Sequence, residues 1–150
     1  MDRLCWIRRY KLRSFYLSLS PQEKEAWLKA QEEQHYTPFS PSLPHSTAEF
    51  LWTSAVSMQR GTLDPLAEKL LLKAVEVAEL PVDRAQAHAN LARLYHDWAE
   101  KEPWRLIESD RHLRAVIDSG YFTSWAHYML EAHAATVNTP PQATPEKSQT

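Results

Sequence analysis

Two glycines in 150 residues, Gly61 and Gly120, leave this chain almost nowhere to place the left-handed residues that tight β-hairpins demand. Ten prolines, six tryptophans and six tyrosines accompany them, so large side chains to bury and breaks between elements are plentiful. An all-β sandwich is disfavoured, and an all-helical domain is expected. The remaining balance is that of an ordinary globular chain of one domain's length, with 43% hydrophobic and 24% charged residues and a net charge of −2. The single cysteine, Cys5, excludes an internal disulfide framework and a multi-cysteine zinc site; it fits a small core residue in a reducing compartment. No run approaches 18 apolar residues, and Phe15 to Leu19 is too short and too broken by serine for a signal sequence. The expectation is a cytoplasmic protein with no transmembrane segment.

Charge is split along the chain. Residues Met1–Leu19 carry Arg3, Arg8, Arg9, Lys11 and Arg13 against Asp2 alone, a net +4 that leaves −6 on the rest. Leu4, Ile7, Tyr10, Ser14 and Leu17 recur at three- and four-residue spacings, which predicts one helix with a basic side. That helix either packs on the domain or serves as an arm for a membrane or nucleic acid. Ser20-Pro21-Gln22-Glu23 is a capping box with proline in the first turn, opening a helix over Pro21–Gln34 that buries Ala26, Trp27 and Ala30. Residues 1–34 thus form an N-terminal helical unit. Pro38, Pro41 and Pro44 stand among serines and make 35–45 a proline-rich linker.

From Ser46 the pattern is helical almost without interruption. Ser46-Thr47-Ala48-Glu49 is a second capping box, opening a helix to about Gln59, and Gly61 follows as its stop. Asp64-Pro65 opens the next, ending near Pro81. Asp83 begins a third that runs to Glu100, a fourth covers Trp104–Ser119 with Gly120 past its end, and a fifth spans Phe122–Thr136. Residues 46–137 form the main domain. The tail over 138–150 has no large apolar residue and is expected to be disordered.

Small and large residues alternate within these helices in a recurrent order. The segment Leu51, Ala55, Met58, Gly61, Ala67, Leu71, Ala74 resembles a tetratricopeptide repeat (TPR), in which paired helices approach closely where small residues meet bulky ones. A second copy starts at His88 with Leu91, Ala92 and Tyr95 and continues through Glu108, His112, Ala115 and Gly120; a third starts at Trp125 with Tyr128, Met129 and Ala132. Leu51, His88 and Trp125 are each 37 residues apart, near the family's 34-residue unit. Glu108 and His112 depart from the family pattern, standing where it prefers a small and an aromatic residue.

The resemblance implies antiparallel helix pairs stacked as a short TPR-like right-handed solenoid behind the N-terminal helices. Its concave surface, made by the first helix of each pair, would bind a protein or peptide. Carried over by position, the inward residues are Trp52, Val56 and Gln59, then Gln86, Asn90, Arg93 and Asp97, then His127 and Leu130. Asn90 and Arg93 would hold a peptide backbone or carboxylate, unless Arg93 instead pairs with Asp97 four residues on. The half repeat at the end exposes an apolar side that the N-terminal helices or a second copy of the chain could cover.

The residues offer little to catalysis. His96-Asp97, with His45 or His88 before and Asp110 or Asp118 after, superficially resembles the helical histidine–aspartate metal phosphohydrolases, but no further histidine pair stands at four-residue spacing and the aspartates follow too soon. His127 and His133, six apart, point to different sides of their helix, one toward solvent and one lateral. Two glycines cannot build a phosphate loop, no serine lies in a nucleophile elbow, and Cys5 has no nearby histidine. The expectation is a non-catalytic adaptor with no cofactor and no metal. The alternative is a nucleic-acid-associated or regulatory helical protein acting through Arg8-Arg9-Tyr10-Lys11, a reading weakened by a pI of about 6.4.

Overall fold

A computed structural model describes residues 4–34, 44–58 and 64–138. Those residues form eight α-helices and no strand. The chain opens with α1 (Cys5–Arg9) and α2 (Arg13–Leu17), where the sequence pattern predicts a single helix. The break falls at Lys11, whose φ of 57° is left-handed. The Lys11 N–H donates to the Arg8 carbonyl and the Leu12 N–H to the Ile7 carbonyl, the two bonds of a Schellman stop with lysine where glycine is usual. Its cost of about 1–2 kcal/mol is offset by burying Leu12 and Ile7 on the same side.

The fold thereby turns its basic arm inward by its apolar side. Trp6 packs against Trp27 of α3 (Pro21–Gln34) with ring centres 4.4 Å apart, and Tyr10 stacks on Phe50 of α4 (Thr47–Met58) at 4.5 Å. The Tyr10 hydroxyl donates to the Pro44 carbonyl, and the Thr47 hydroxyl to the Tyr10 carbonyl. Trp27 is fully buried. Arg8, Arg9, Lys11 and Arg13 remain exposed. The N-terminal helices therefore share one core with α4.

The capping signals are realised in the expected places. The Glu23 N–H donates to Ser20 Oγ while the Ser20 N–H donates to the Glu23 carboxylate, and the Glu49 N–H donates to Ser46 Oγ. The second box closes one residue early, because the Glu49 carboxylate accepts from the His45 N–H. The chain continues through α5 (Asp64–Val77) and α6 (Pro81–Trp98). The sequence pattern runs α5 to about Pro81 and starts α6 at Asp83; the structure ends the first at Val77 and uses Pro81 as the first residue of the second, where a missing N–H costs nothing. Arg84 reaches back and donates to the Ala78 carbonyl just beyond α5. Finally α7 (Arg105–Ser119) stops at Gly120, with φ of 85°, and α8 (Thr123–Asn138) completes the order.

Each helix from α4 to α7 packs on its successor, and α4 also touches α6. The expected small residues sit at these interfaces: Ala55, Ala67, Ala74 and Ala92 are all buried, and Ala115 is half-buried. One core cluster joins α1–α3 to α4, α5 and α6. A second, built on Ala89, Ala92, Leu113, Val116 and Ala126, joins α6, α7 and α8. Among the described residues, no helix is long and apolar enough to cross a membrane. Gln59, Gly61 and most of the expected linker and tail lie outside the described residues.

Candidate functional site

On α6, Gln86, Asn90 and Arg93 fall at positions i, i+4 and i+7, which places them along one face. Opposite them stand Phe122, just before α8, and Trp125 in its first turn. Together with Ala89 these residues line a cleft of about 180 Å³. Ala89 forms its floor because a methyl group lets the two helices approach. The second core cluster, immediately beneath, holds Trp125 and Ala126 in place.

The polar wall of this cleft has no partner among the described residues and opens to solvent. Asn90 is only 5% exposed, yet its amide makes no hydrogen bond to another described residue, and neither does that of Gln86. Arg93 is exposed and forms no ion pair among the described residues; Asp97, its expected partner, is exposed and separate. The aromatic wall is held under constraint. Phe122 has a φ of 57°, a conformation costing on the order of 1–3 kcal/mol for a non-glycine residue, and it is 43% exposed.

Of the nine residues expected to line a groove, the structure brings Gln86, Asn90 and Arg93 together. Trp52 packs on the first core cluster and Leu130 on the second, while Val56, Asp97 and His127 are exposed away from the cleft and Gln59 is outside the described residues. Phe122 and Trp125 complete the site, and the positional carry-over missed both. Compared with family models, curated proteins and solved structures, the chain matches none.

Sequence reasoning also missed two histidine pairs that fasten α6 to its neighbours. His88 Nδ1 lies 2.9 Å from His112 Nδ1 of α7, and His96 Nδ1 lies 2.9 Å from His133 Nε2 of α8. His133 Nδ1 in turn lies 2.7 Å from Asp110 Oδ1. Where the helix spacing alone leaves His133 lateral or solvent-facing, the structure buries it to 3% exposure. Its position was legible: Ala126, Met129 and Leu130 precede it at helical spacing on the apolar side. His112 likewise falls between the buried Ser109 and Val116.

Folding disfavours the charged form of both rings of the first pair. Burial, His88 and Arg111 push His112 down to about 4, and burial and Arg84 push His88 down as well. Tyr95 stacks on the His112 ring and donates to the Glu68 carboxylate at 2.6 Å; burial and that bond raise its hydroxyl above the ordinary range. Arg105 closes the same corner, its guanidinium 3.7 Å from the Trp98 ring centre and bonded to Glu102 and Glu108. Burial opposes its charge, but the bonds to Glu108 and Glu102 outweigh burial and raise its pKa. Among the described residues, no group of three or more His, Cys, Asp or Glu is placed to share a metal ion.

Arg9 of the arm borders a different feature. A groove of about 790 Å³ runs past Arg9, Tyr10 and the start of α4 to Leu80 and Asp83. Glu49, Glu79 and Asp83 face it together with Arg9 and His45, so its charge is mixed, whereas a phosphate track would be uniformly basic.

Proposed function

We propose that the protein is a non-catalytic adaptor that binds an extended peptide or protein segment in the cleft between α6 and α8. In this reading α4/α5 and α6/α7 are two antiparallel pairs and α8 a half pair, stacked as a short TPR-like right-handed solenoid. The observation that carries it is the pairing of polar groups that have no partner among the described residues with an aromatic wall across the same cleft. Gln86 and Asn90 offer amide donors and acceptors to a peptide backbone, Arg93 offers a charge-assisted bond to a carboxylate, and Phe122 and Trp125 offer apolar faces to a side chain. Such a ligand is mixed, apolar at one end and polar at the other.

Selection from a random peptide library on the full chain tests this. Peptides that enrich on the wild type should lose at least about tenfold in affinity for an Asn90→Ala/Arg93→Ala variant, since both polar anchors of the cleft are removed. Equal binding to both proteins would move the site elsewhere.

A further inference from the structure

The cleft between α6 and α8 is rich in hydrogen-bond donors and poor in acceptors. The Gln86 and Asn90 amides bring two N–H donors each and the Arg93 guanidinium five, against one carbonyl acceptor per amide. No carboxylate is among the lining residues. From the other side α8 presents its first turn, beginning at Thr123, and the backbone groups that a first turn leaves unpaired within the helix are N–H donors as well. An ordinary extended peptide brings an N–H for every carbonyl, so about half of its backbone polar groups would enter this cleft with no acceptor to meet. Proline keeps the carbonyl and lacks the N–H.

The rest of the cleft matches the rest of that residue. Phe122 is 43% exposed and Trp125 half-buried, and they stand across the Ala89 floor from the polar row. The exposed Tyr121 ring, centred 6.3 Å from that of Phe122, extends the aromatic wall beyond the opening. A volume of about 180 Å³ suits one compact side chain at a time and not a folded element. The spacing along α6 fits too: Asn90 lies about 6 Å and Arg93 about 10 Å beyond Gln86. Polyproline II advances about 3.1 Å per residue, which puts carbonyls two and three residues apart at about 6 and 9 Å. A helical ligand would spend its carbonyls on its own N–H groups and leave the row of donors unused.

We propose that the cleft takes a proline-rich segment of a partner protein in the polyproline II conformation. Its pyrrolidine rings lie against Phe122 and Trp125, and its carbonyls accept from Gln86, Asn90 and Arg93. This rests on the adaptor reading of the same cleft and narrows the ligand to one class.

Isothermal titration calorimetry on the full chain tests it with acetylated hexaproline carrying a free carboxylate, set against the alanine counterpart, which has the same charge and length but regains an N–H at every residue. Hexaproline should bind saturably at about 1 mM or tighter, and at least about tenfold tighter than the alanine peptide. Phe122→Gly removes part of the aromatic wall and relieves the left-handed backbone, so affinity should fall at least about fivefold while the urea midpoint is no lower than in the wild type. Gln86→Glu exchanges donors for acceptors in the same shape and should also cost at least about fivefold. No saturable binding of hexaproline, equal affinity for the two peptides, or wild-type affinity in both variants would overturn the proline assignment. Library-selected peptides that still weaken against the Asn90→Ala/Arg93→Ala variant would then leave the adaptor reading standing; a selection that enriches nothing would end both.

Discussion

The His88–His112 pair ties stability to pH in a direction the structure specifies. Folding holds His112 neutral down to about pH 4, whereas the unfolded chain takes up its proton near 6.5. Above 6.5 neither state binds that proton and the histidine contributes nothing to the pH dependence. Below it the unfolded state binds a proton that the folded state refuses, so stability falls as pH falls, by about 1.4 kcal/mol per unit. At pH 5 the accumulated loss is about 2 kcal/mol, a large fraction of the ~5–15 kcal/mol available to a domain. His88, also lowered, adds in the same direction. Urea unfolding followed by far-ultraviolet circular dichroism at pH 7.5, 6.5, 5.5 and 5 measures this directly. Carboxylates titrate in the same range, so the comparison is with His112→Gln, which can donate to His88 but carries no titrating group. The wild type should lose about 2 kcal/mol more than the variant between pH 7.5 and 5. Parallel curves would show that the pair is not held neutral and would refute the reasoning.

Other perturbations probe the remaining elements. Lys11→Gly should stabilise the protein by about 0.5–1 kcal/mol in urea unfolding, since it removes left-handed strain and keeps the stop between α1 and α2. Trp27→Ala should cost about 3–5 kcal/mol, because the ring is fully buried among Trp6, Phe15 and Phe50; a loss under 1 kcal/mol would show that the arm does not pack there. Ala92→Trp should overpack the contact among α6, α7 and α8 and cost on the order of 1–3 kcal/mol, with a neutral result denying its burial.

Several helix starts and stops were legible from chemical markers in the sequence, although the start of α6 falls at Pro81 and not at Asp83. Ser20 with Glu23, Ser46 with Glu49 and Gly120 each do the job their residue type suggests. The break at Lys11 was not, because lysine gives no sign that it will adopt a conformation normally left to glycine; only the demand to bury Ile7 and Leu12 together imposes it. The cleft was half legible. Periodicity along α6 aligned Gln86, Asn90 and Arg93, but the facing wall depends on how α8 docks, and Phe122 carries no periodic signal for that. The histidine bonds span 24 and 37 residues, separations at which one sequence holds no pairing information, although the buried spacing of His112 and His133 pointed both inward.

The adaptor account is tested most directly by titrating a library-selected peptide into isotope-labelled full-length protein and following the backbone and side-chain amide signals. The account predicts that the largest shifts fall on Gln86, Asn90, Arg93, Phe122 and Trp125, with the Asn90 side-chain amide among them. Shifts confined to Arg8, Arg9, Lys11 and Arg13, with the α6 and α8 signals unmoved, would contradict it.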